Sequence, residues 1–384
     1  MAGLRGERFI FNARELGGSL GDLGTLLPLT LGMIGVVGMA PAPVIAGFAV
    51  FYIATALYYR LPIPVQPMKA VAAVLLTAGM TPAGLAVSGV MIGLILLVLG
   101  LTGWIARLTR LVPQSVVTGL QLGLGLALAL VSYDLLATAP LIGLTTLTLL
   151  LSLIFVPRCP SAPIALAAAV LLAQATGVPG IGIDAGAPAS FPLVSWPTSG
   201  EIERAFTLYV MPQLSLTFTN AILLTALIAG DYFGDRAAHV TPARLSVTSG
   251  LANLALTPFG ALPMCHGAGG LAAQYRFGAR SGTAPLALGL VLLAVAVAPG
   301  EHGLAALAAI PAAGLGALLL VAAGELALTK RLFDSKPSCW PVIAVTAAVT
   351  LWADPFWALL AGTGAELLRF VAVRHLRRGA PGSR

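Results

Sequence analysis

Between residues 16 and 372 the chain is one apolar stretch after another, and only residues 177–206 form a polar segment long enough to stand as a loop of its own. So many apolar runs cannot share one water-facing fold. Charged residues make up 9% of the 384, where soluble domains carry roughly 25%. A hydrated surface cannot be built from that inventory. Mean hydropathy is +0.96. The solvent that suits these segments is lipid, where every backbone N–H and C=O must find its partner inside the protein. The runs read as helices, since about 20 residues cross the hydrocarbon core. An all-α integral membrane protein follows.

Fourteen spans are read: 16–39, 43–59, 62–79, 82–104, 112–133, 140–156, 162–176, 207–229, 245–257, 260–275, 284–298, 303–324, 338–352 and 355–372. With the N-terminus in the cytoplasm and the spans alternating, every lysine and arginine falls on or beside the cytoplasmic side except two. These are Arg204, in the long loop, and Lys69, inside the membrane. Asp134, Asp184, Glu201, Glu203, Glu301 and Asp354 fall outside. This positive-inside pattern predicts both termini in the cytoplasm. Basic residues dispersed at helix ends also account for the net charge of +7 without a nucleic-acid partner. Cys159, Cys265 and Cys339 share no metal-ligand spacing. The charged start (Arg5, Glu7, Arg8, Arg14, Glu15) leads into an apolar span without a small-residue cleavage site, so targeting is expected to reside in that span.

Two spans are broken. Pro62, Pro64 and Pro67 fall within six residues, which a regular helix interior does not admit. The run after Pro67 reads as a helix with that proline near its first turn and Lys69 about two residues in. A comparable interruption, Gly260 to Gly270, lies 196 residues later, where Pro263-Met264 matches Pro67-Met68 and Ser215-Leu216 matches Ser19-Leu20. Each half holds seven spans with the broken one third. Seven is odd, so the halves have opposite topology: two inverted seven-helix repeats with helices 3 and 10 interrupted, a plan common among secondary transporters.

The residues able to carry chemistry cluster at these breaks. Lys69 at membrane depth is costly unless paired or hydrated; it suits either an ion pair with Asp22 or an anion contact beside a helix N-terminus. Asp22, in Gly21-Asp22-Leu23-Gly24-Thr25, suits a role in orienting Lys69, capping a helix or taking up a proton. Thr25 offers a hydroxyl and Gln66 an amide. His266, before Gly267-Ala268-Gly269-Gly270, can donate to an oxyanion or pack between helices, while Gly267 and Gly269 leave backbone N–H groups open to a ligand. Gln213, Thr217, Thr219 and Asn220 place polar groups along span 8, as helix–helix glue or as ligand contacts. Arg276 and Arg280 suit an inner anion funnel or simple topology. Two half-helix N-termini, each worth about +0.5 charge, plus Lys69 and an optional His266 against Asp22 alone, favour a compact oxyanion over a cation.

The segments Gly21-Asp22-Leu23-Gly24-Thr25 with Pro28, Pro64-Val65-Gln66-Pro67-Met68-Lys69-Ala70, and Pro263-Met264-Cys265-His266-Gly267-Ala268-Gly269-Gly270 continuing through Tyr275-Arg276-Phe277-Gly278-Ala279-Arg280-Ser281-Gly282 resemble the molybdate transporter family of bacteria and plants. That family is related to the sulfate permeases and, more distantly, to the nucleobase-ascorbate transporters. The resemblance implies a core domain of residues 11–110 and 207–298 and a gate domain of residues 111–176 and 299–373. Residues 177–206 would be an extracytoplasmic linker and 374–384 a cytoplasmic tail. It implies a secondary-active carrier that imports a tetrahedral oxyanion, molybdate first with sulfate as the alternative, by elevator motion of core against gate. Proton coupling and a homodimer are compatible with it, as is an anion channel. No cofactor or metal is implied, only the substrate anion and membrane lipids. The location implied is a bacterial cytoplasmic (inner) membrane. An enzyme is not expected, because histidines 239, 266, 302 and 375 form neither a nucleophile–base pair nor a metal cluster.

Overall fold

The computed structural model describes residues 9–37, 39–72, 81–110, 112–156, 159–180, 197–298, 308–353 and 355–379. The first half opens with α1 (Ala13–Ser19), a 3-10 turn at Leu20–Asp22, and α2 (Leu23–Val37). Asn12 caps α1 by accepting the Glu15 N–H. Next come α3 (Pro41–Tyr59), with proline in its first turn, the extended segment 61–68 containing β1 (Gln66–Pro67), and helical residues from Lys69 onward. The half continues with α4 (Pro82–Leu101), α5 (Trp104–Arg110), α6 (Gln114–Ala137), α7 (Pro140–Ile154) and α8 (Ser161–Thr176). Of these, α3, α4 and α6 are long and apolar enough to cross a membrane, and α7 and α8 are shorter apolar helices.

The second half begins with a continuous helical rod from Ser199 to Phe233. It comprises α9 (Ser199–Arg204), a π stretch at Ala205–Val210, α10 (Met211–Leu216), a second π stretch at Thr217–Leu224, and α11 (Thr225–Phe233). Thr198 and Glu201 close a reciprocal capping box at its start. Residues 199–206, expected in the linker, therefore belong to this rod. Pro212 has no N–H to donate, so the α-helical ladder cannot run through it. Met211 N–H bonds Phe206 O five residues back, the wider register that marks π segments, which favour functional sites.

The remaining elements are α12 (Pro242–Leu256), β2 (Met264–Cys265), α13 (Ala268–Arg276), α14 (Thr283–Val297), α15 (Ala312–Ala327), α16 (Lys330–Phe333), α17 (Trp340–Trp352) and α18 (Pro355–Gly379). Residues 374–379, expected in a tail, extend α18. The expected third-span residues 73–79, most of the linker (181–196), residues 303–307 and the final five lie outside the described residues.

Packing repeats across the two halves. From the first half, α4 packs on α12, and α3 packs on α14. These two pairs exchange when the halves are swapped. A second group packs α6 against α15 and α17, and α17 against α18. The groups meet where α13 and α2 lie on α15. The buried apolar core runs through both, from Leu27 and Phe48 to Leu318 and Ile343.

Candidate functional site

The prolines do what their chemistry requires. Residues 61–68 are extended and buried, and β1 pairs antiparallel with β2, Gln66 opposite Cys265 and Pro67 opposite Met264. Pro67 and Pro263 lack N–H groups, so the ribbon stays two residues long, and Met68 N–H closes it by donating to Pro263 O at 3.0 Å. The expectation for the first break needs correction: Pro67 lies in a strand, and Lys69 is the first helical residue. A helix starts shortly after each strand, at Lys69 and at Ala268. Because the strands run antiparallel, two helix N-termini sit beside one short ribbon. Gly260, at φ 85°, turns the chain into the second break, a conformation suited to glycine.

Asn253 on α12 holds the ribbon from behind. Its Nδ2 donates to Met264 O at 2.6 Å and to Ser249 O at 2.7 Å, and its Oδ1 accepts Met264 N–H at 2.9 Å. One side chain thus stands in for a neighbouring strand. A lone amide in an apolar span was the available signal, and it went unread at 253 although the same signal marked Gln213.

The two N-termini differ. On the first, Gln213 Oε1 accepts Ala70 N–H at 2.9 Å and Val71 N–H at 3.3 Å, while its Nε2 donates to Thr217 Oγ1 at 2.9 Å. Gln213 and Thr217, expected as possible ligand contacts, form a cap from the π-broken rod. On the second, Gly267 is the N-cap residue and no side chain caps α13. The first-turn N–H groups of α13 have no intrahelical acceptor.

Asp22, fully buried, faces this ribbon. Its Oδ2 accepts from Tyr52 Oη at 2.8 Å and its Oδ1 from Gln66 Nε2 at 2.5 Å. The expected Asp22–Lys69 ion pair is absent among the described residues, because two neutral donors already hold the carboxylate. Lys69 is partly buried and makes no ion pair there. The glycines are needed to fit this network. A Cβ at Gly267 would lie 1.9 Å from Gln66 Oε1, and one at Gly270 would lie 2.5 Å from both Asp22 Oδ1 and Gln66 Nε2. A Cβ at Gly269 would meet Leu128 Cδ1 at 2.9 Å, so α6 covers the start of α13. Thr25 and Asn220 are buried, and neither side chain hydrogen-bonds another described residue.

His266 takes the second of its two expected roles, packing between helices. Its Nδ1 donates to Pro64 O at 2.9 Å and its Nε2 meets Thr248 Oγ1 at 2.8 Å, which in turn meets Tyr59 Oη at 2.8 Å. The ring packs tilted on Phe51 and edge-on to Tyr59. With both nitrogens taken and no exposure, His266 joins the broken segments to α12 and offers nothing to an anion in this conformation. Arg276 and Arg280 likewise have protein partners. Arg276 lies 3.8 Å from Glu325, and Arg280 stacks on Tyr275 at 3.7 Å and bonds the carbonyls of Tyr275 and Ala279.

Beyond this ribbon lies a cavity of about 840 Å³ between the two packing groups. It is lined by Asp231, Tyr232 and Tyr275 on one side and by Thr118, Gln121 and Glu325 on the other. Arg331 grips Asp231 through Nε at 2.8 Å and Nη2 at 2.5 Å across it, and Tyr232 donates to Glu325 at 3.3 Å.

The chain matches the family described as "Molybdate transporter of MFS superfamily" over residues 14–128 and 205–326. The first matched segment begins within α1 and the second at the π stretch that follows α9. It is 32% identical to Molybdate transporter 2 of Arabidopsis thaliana, covering 94% of this chain and 88% of that protein. It is 28% identical to Molybdate transporter 1 of Chlamydomonas reinhardtii, covering 88% of each. Among solved structures it resembles the transmembrane domain of a cyanobacterium bicarbonate transporter, BicA, with TM-score 0.61 at 17% identity, covering 94% of this chain and 98% of that one. It also resembles murine Solute Carrier 26 family member A9, an anion transporter in the inward-facing state, with TM-score 0.62 at 14% identity, covering 93% and 68%. At those identities the structural likeness is one of fold.

Proposed function

The chain belongs to the molybdate transporter family, and from that premise we propose that it is a secondary-active carrier of a small tetrahedral oxyanion, molybdate ahead of sulfate. It is an integral membrane anion transporter, not an enzyme. The observation that carries the substrate reading is the uncapped N-terminus of α13 beside the ribbon that also starts the Lys69 helix. Unsatisfied N–H groups with a positive dipole end suit an oxyanion, and Lys69 adds a charge with no carboxylate committed to it among the described residues. Thr25 and Asn220 supply hydroxyl and amide groups with no hydrogen-bond partner among the described residues. Gly267 and Gly269 keep the backbone approachable. Asp22 and Gln66 shape the floor of the site, and Gln213 and Thr217 hold the opposing helix start in place.

An elevator motion of the group containing the ribbon against the group containing α6, α15 and α17 is part of the proposal. The cavity lined by both groups supports it, as expected of a carrier open to one side. The basic residues on that side support a cytoplasmic orientation with both termini inside. The two relatives named above come from a plant and an alga, so they lend no support to the expected bacterial inner membrane.

The test is uptake of molybdate into proteoliposomes with tungstate and sulfate in competition. Saturable uptake with counterflow, blocked by tungstate more strongly than by sulfate, is the expected result. In Lys69→Ala the affinity is expected to fall at least tenfold. Unchanged oxyanion affinity in that variant would remove the site, and uptake that follows voltage without saturation would make the protein a channel. Proton coupling, suggested by a buried carboxylate without a cation, requires uptake to respond to an imposed pH gradient in the wild type and not in Asp22→Asn.

A further inference from the structure

Gln121 on α6 is 1% exposed, and both its amide atoms are buried without a hydrogen-bond partner among the described residues. A buried amide in that state is costly unless something meets it. Gln121 lines the 840 Å³ cavity together with Gln114 and Thr118. Positions 114, 118 and 121 lie on one face of the helix. This polar stripe runs from exposed Gln114 at the rim to buried Thr118 and Gln121 at depth. Thr118 Oγ1 donates to Gln114 O, so at depth the free donor of the stripe is the Gln121 amide. The stripe starts at the α6 N-terminus, where Pro113 provides no side-chain cap. Lys330 and Lys336, both exposed, line the cavity and have no acidic partner among the described residues. Arg331 is paired with Asp231 and Arg369 with Glu366. The lining carboxylates are Asp231, Glu325 and Asp334. Asp231 is held by Arg331, and Glu325 is met by Tyr232 and lies 3.8 Å from Arg276, which leaves Asp334 to oppose the two lysines. Two turns beyond Gln121, about 10 Å along the axis and on the same face, Leu128 covers Gly269 at the start of α13.

We propose that Gln121 forms a second oxyanion site, a waiting position in the cavity between its basic rim and the leucine that covers the central site. It takes the same class of ligand, a tetrahedral oxyanion, through its Nε2–H groups, and its occupancy supplies or clears the central site. The inference rests on the oxyanion reading above.

Tungstate is the probe, because its heavy atom is visible directly. In a structure of the full chain with tungstate, density is expected within hydrogen-bond distance of Gln121 Nε2 as well as at the α13 N-terminus. In proteoliposomes, Gln121→Leu and Gln121→Glu are each expected to slow molybdate transport at least fivefold while tungstate affinity at the central site stays within twofold of wild type. Lys69→Ala, in contrast, loses affinity. Thr118→Val, which keeps volume but removes the stripe's hydroxyl, is expected to slow transport to a lesser degree, and it guards against a Gln121 variant that fails to fold. Transport at wild-type rate in folded Gln121→Leu overturns the proposal, as does water alone at Gln121 in the tungstate structure. Loss of central affinity in Gln121→Leu equal to that in Lys69→Ala also overturns it, since Gln121 would then belong to one site. If the wild type neither binds nor moves molybdate or tungstate, the oxyanion reading itself fails, a result distinct from all of these.

Discussion

At Asp22 a buried carboxylate is met by Tyr52 Oη at 2.8 Å and Gln66 Nε2 at 2.5 Å, so both oxygens are committed before any substrate arrives. Neutral donors hold a buried anion in place without adding a second charge to desolvate. Asp22→Asn turns one acceptor into a donor facing the donor of Gln66 or Tyr52. Uptake by that variant is expected to fall at least tenfold. The double variant Asp22→Asn with Gln66→Glu restores one acceptor facing one donor and keeps the charge; recovery of part of the uptake, compared in the same vesicles, checks the pairing. Gly270→Ala is expected to abolish uptake, since its Cβ would lie 2.5 Å from Asp22 Oδ1 and Gln66 Nε2. Uptake at the wild-type rate would refute that close approach. Sequence alone marked Asp22, Gln66 and Lys69 as out of place in lipid, because polar residues in apolar spans are rare and costly. It offered Lys69 as the partner of Asp22, not Gln66 and Tyr52. A pairing depends on which faces meet, and Tyr52 on α3 carried no sign distinguishing it from an ordinary interfacial tyrosine.

Among the elements, the breaks were the most legible, since proline leaves a helix few options. Less legible was the ribbon that replaces the missing turns, and least of all its support. Asn253 satisfies both backbone groups of Met264 from another helix. Asn253→Ala leaves a buried N–H and a buried C=O without partners, at about 1–3 kcal/mol each. A clear drop in the melting temperature of the purified protein is expected, larger than for alanine at Asn220, whose side chain bonds no described residue. Of the rod from Ser199 to Phe233, residues 207–229 read as one span with polar residues, and 199–206 as loop. Its two π stretches could not be inferred, because they depend on where the hydrogen-bond register slips around Pro212.

For the whole molecule, composition made the membrane legible and the offset between the breaks made the two halves legible, and the paired packing of α4 on α12 and α3 on α14 fits that symmetry. The cavity was not legible, because it lies between groups of helices remote in sequence. Arg331 and Asp231 span it as a partly exposed ion pair, worth about 1 kcal/mol. Asp231→Asn is expected to shift the balance of conformations away from this one by about fivefold, a factor that corresponds to about 1 kcal/mol. The shift can be read from the labelling rate of a cysteine placed at Thr118, and Asp231→Arg with Arg331→Asp is expected to reverse it. A labelling rate untouched by Asp231→Asn would show that the pair does not hold this state. The β1–β2 ribbon has a consequence of another kind. Hydrogen bonds tie the two half-helix starts to each other, and Asn253 pins them from behind, so the space between them cannot widen or narrow to suit its guest. On the site proposed above, a cage of fixed width would sort anions by radius, and the difference in size between molybdate and sulfate would be the quantity on which selection turns.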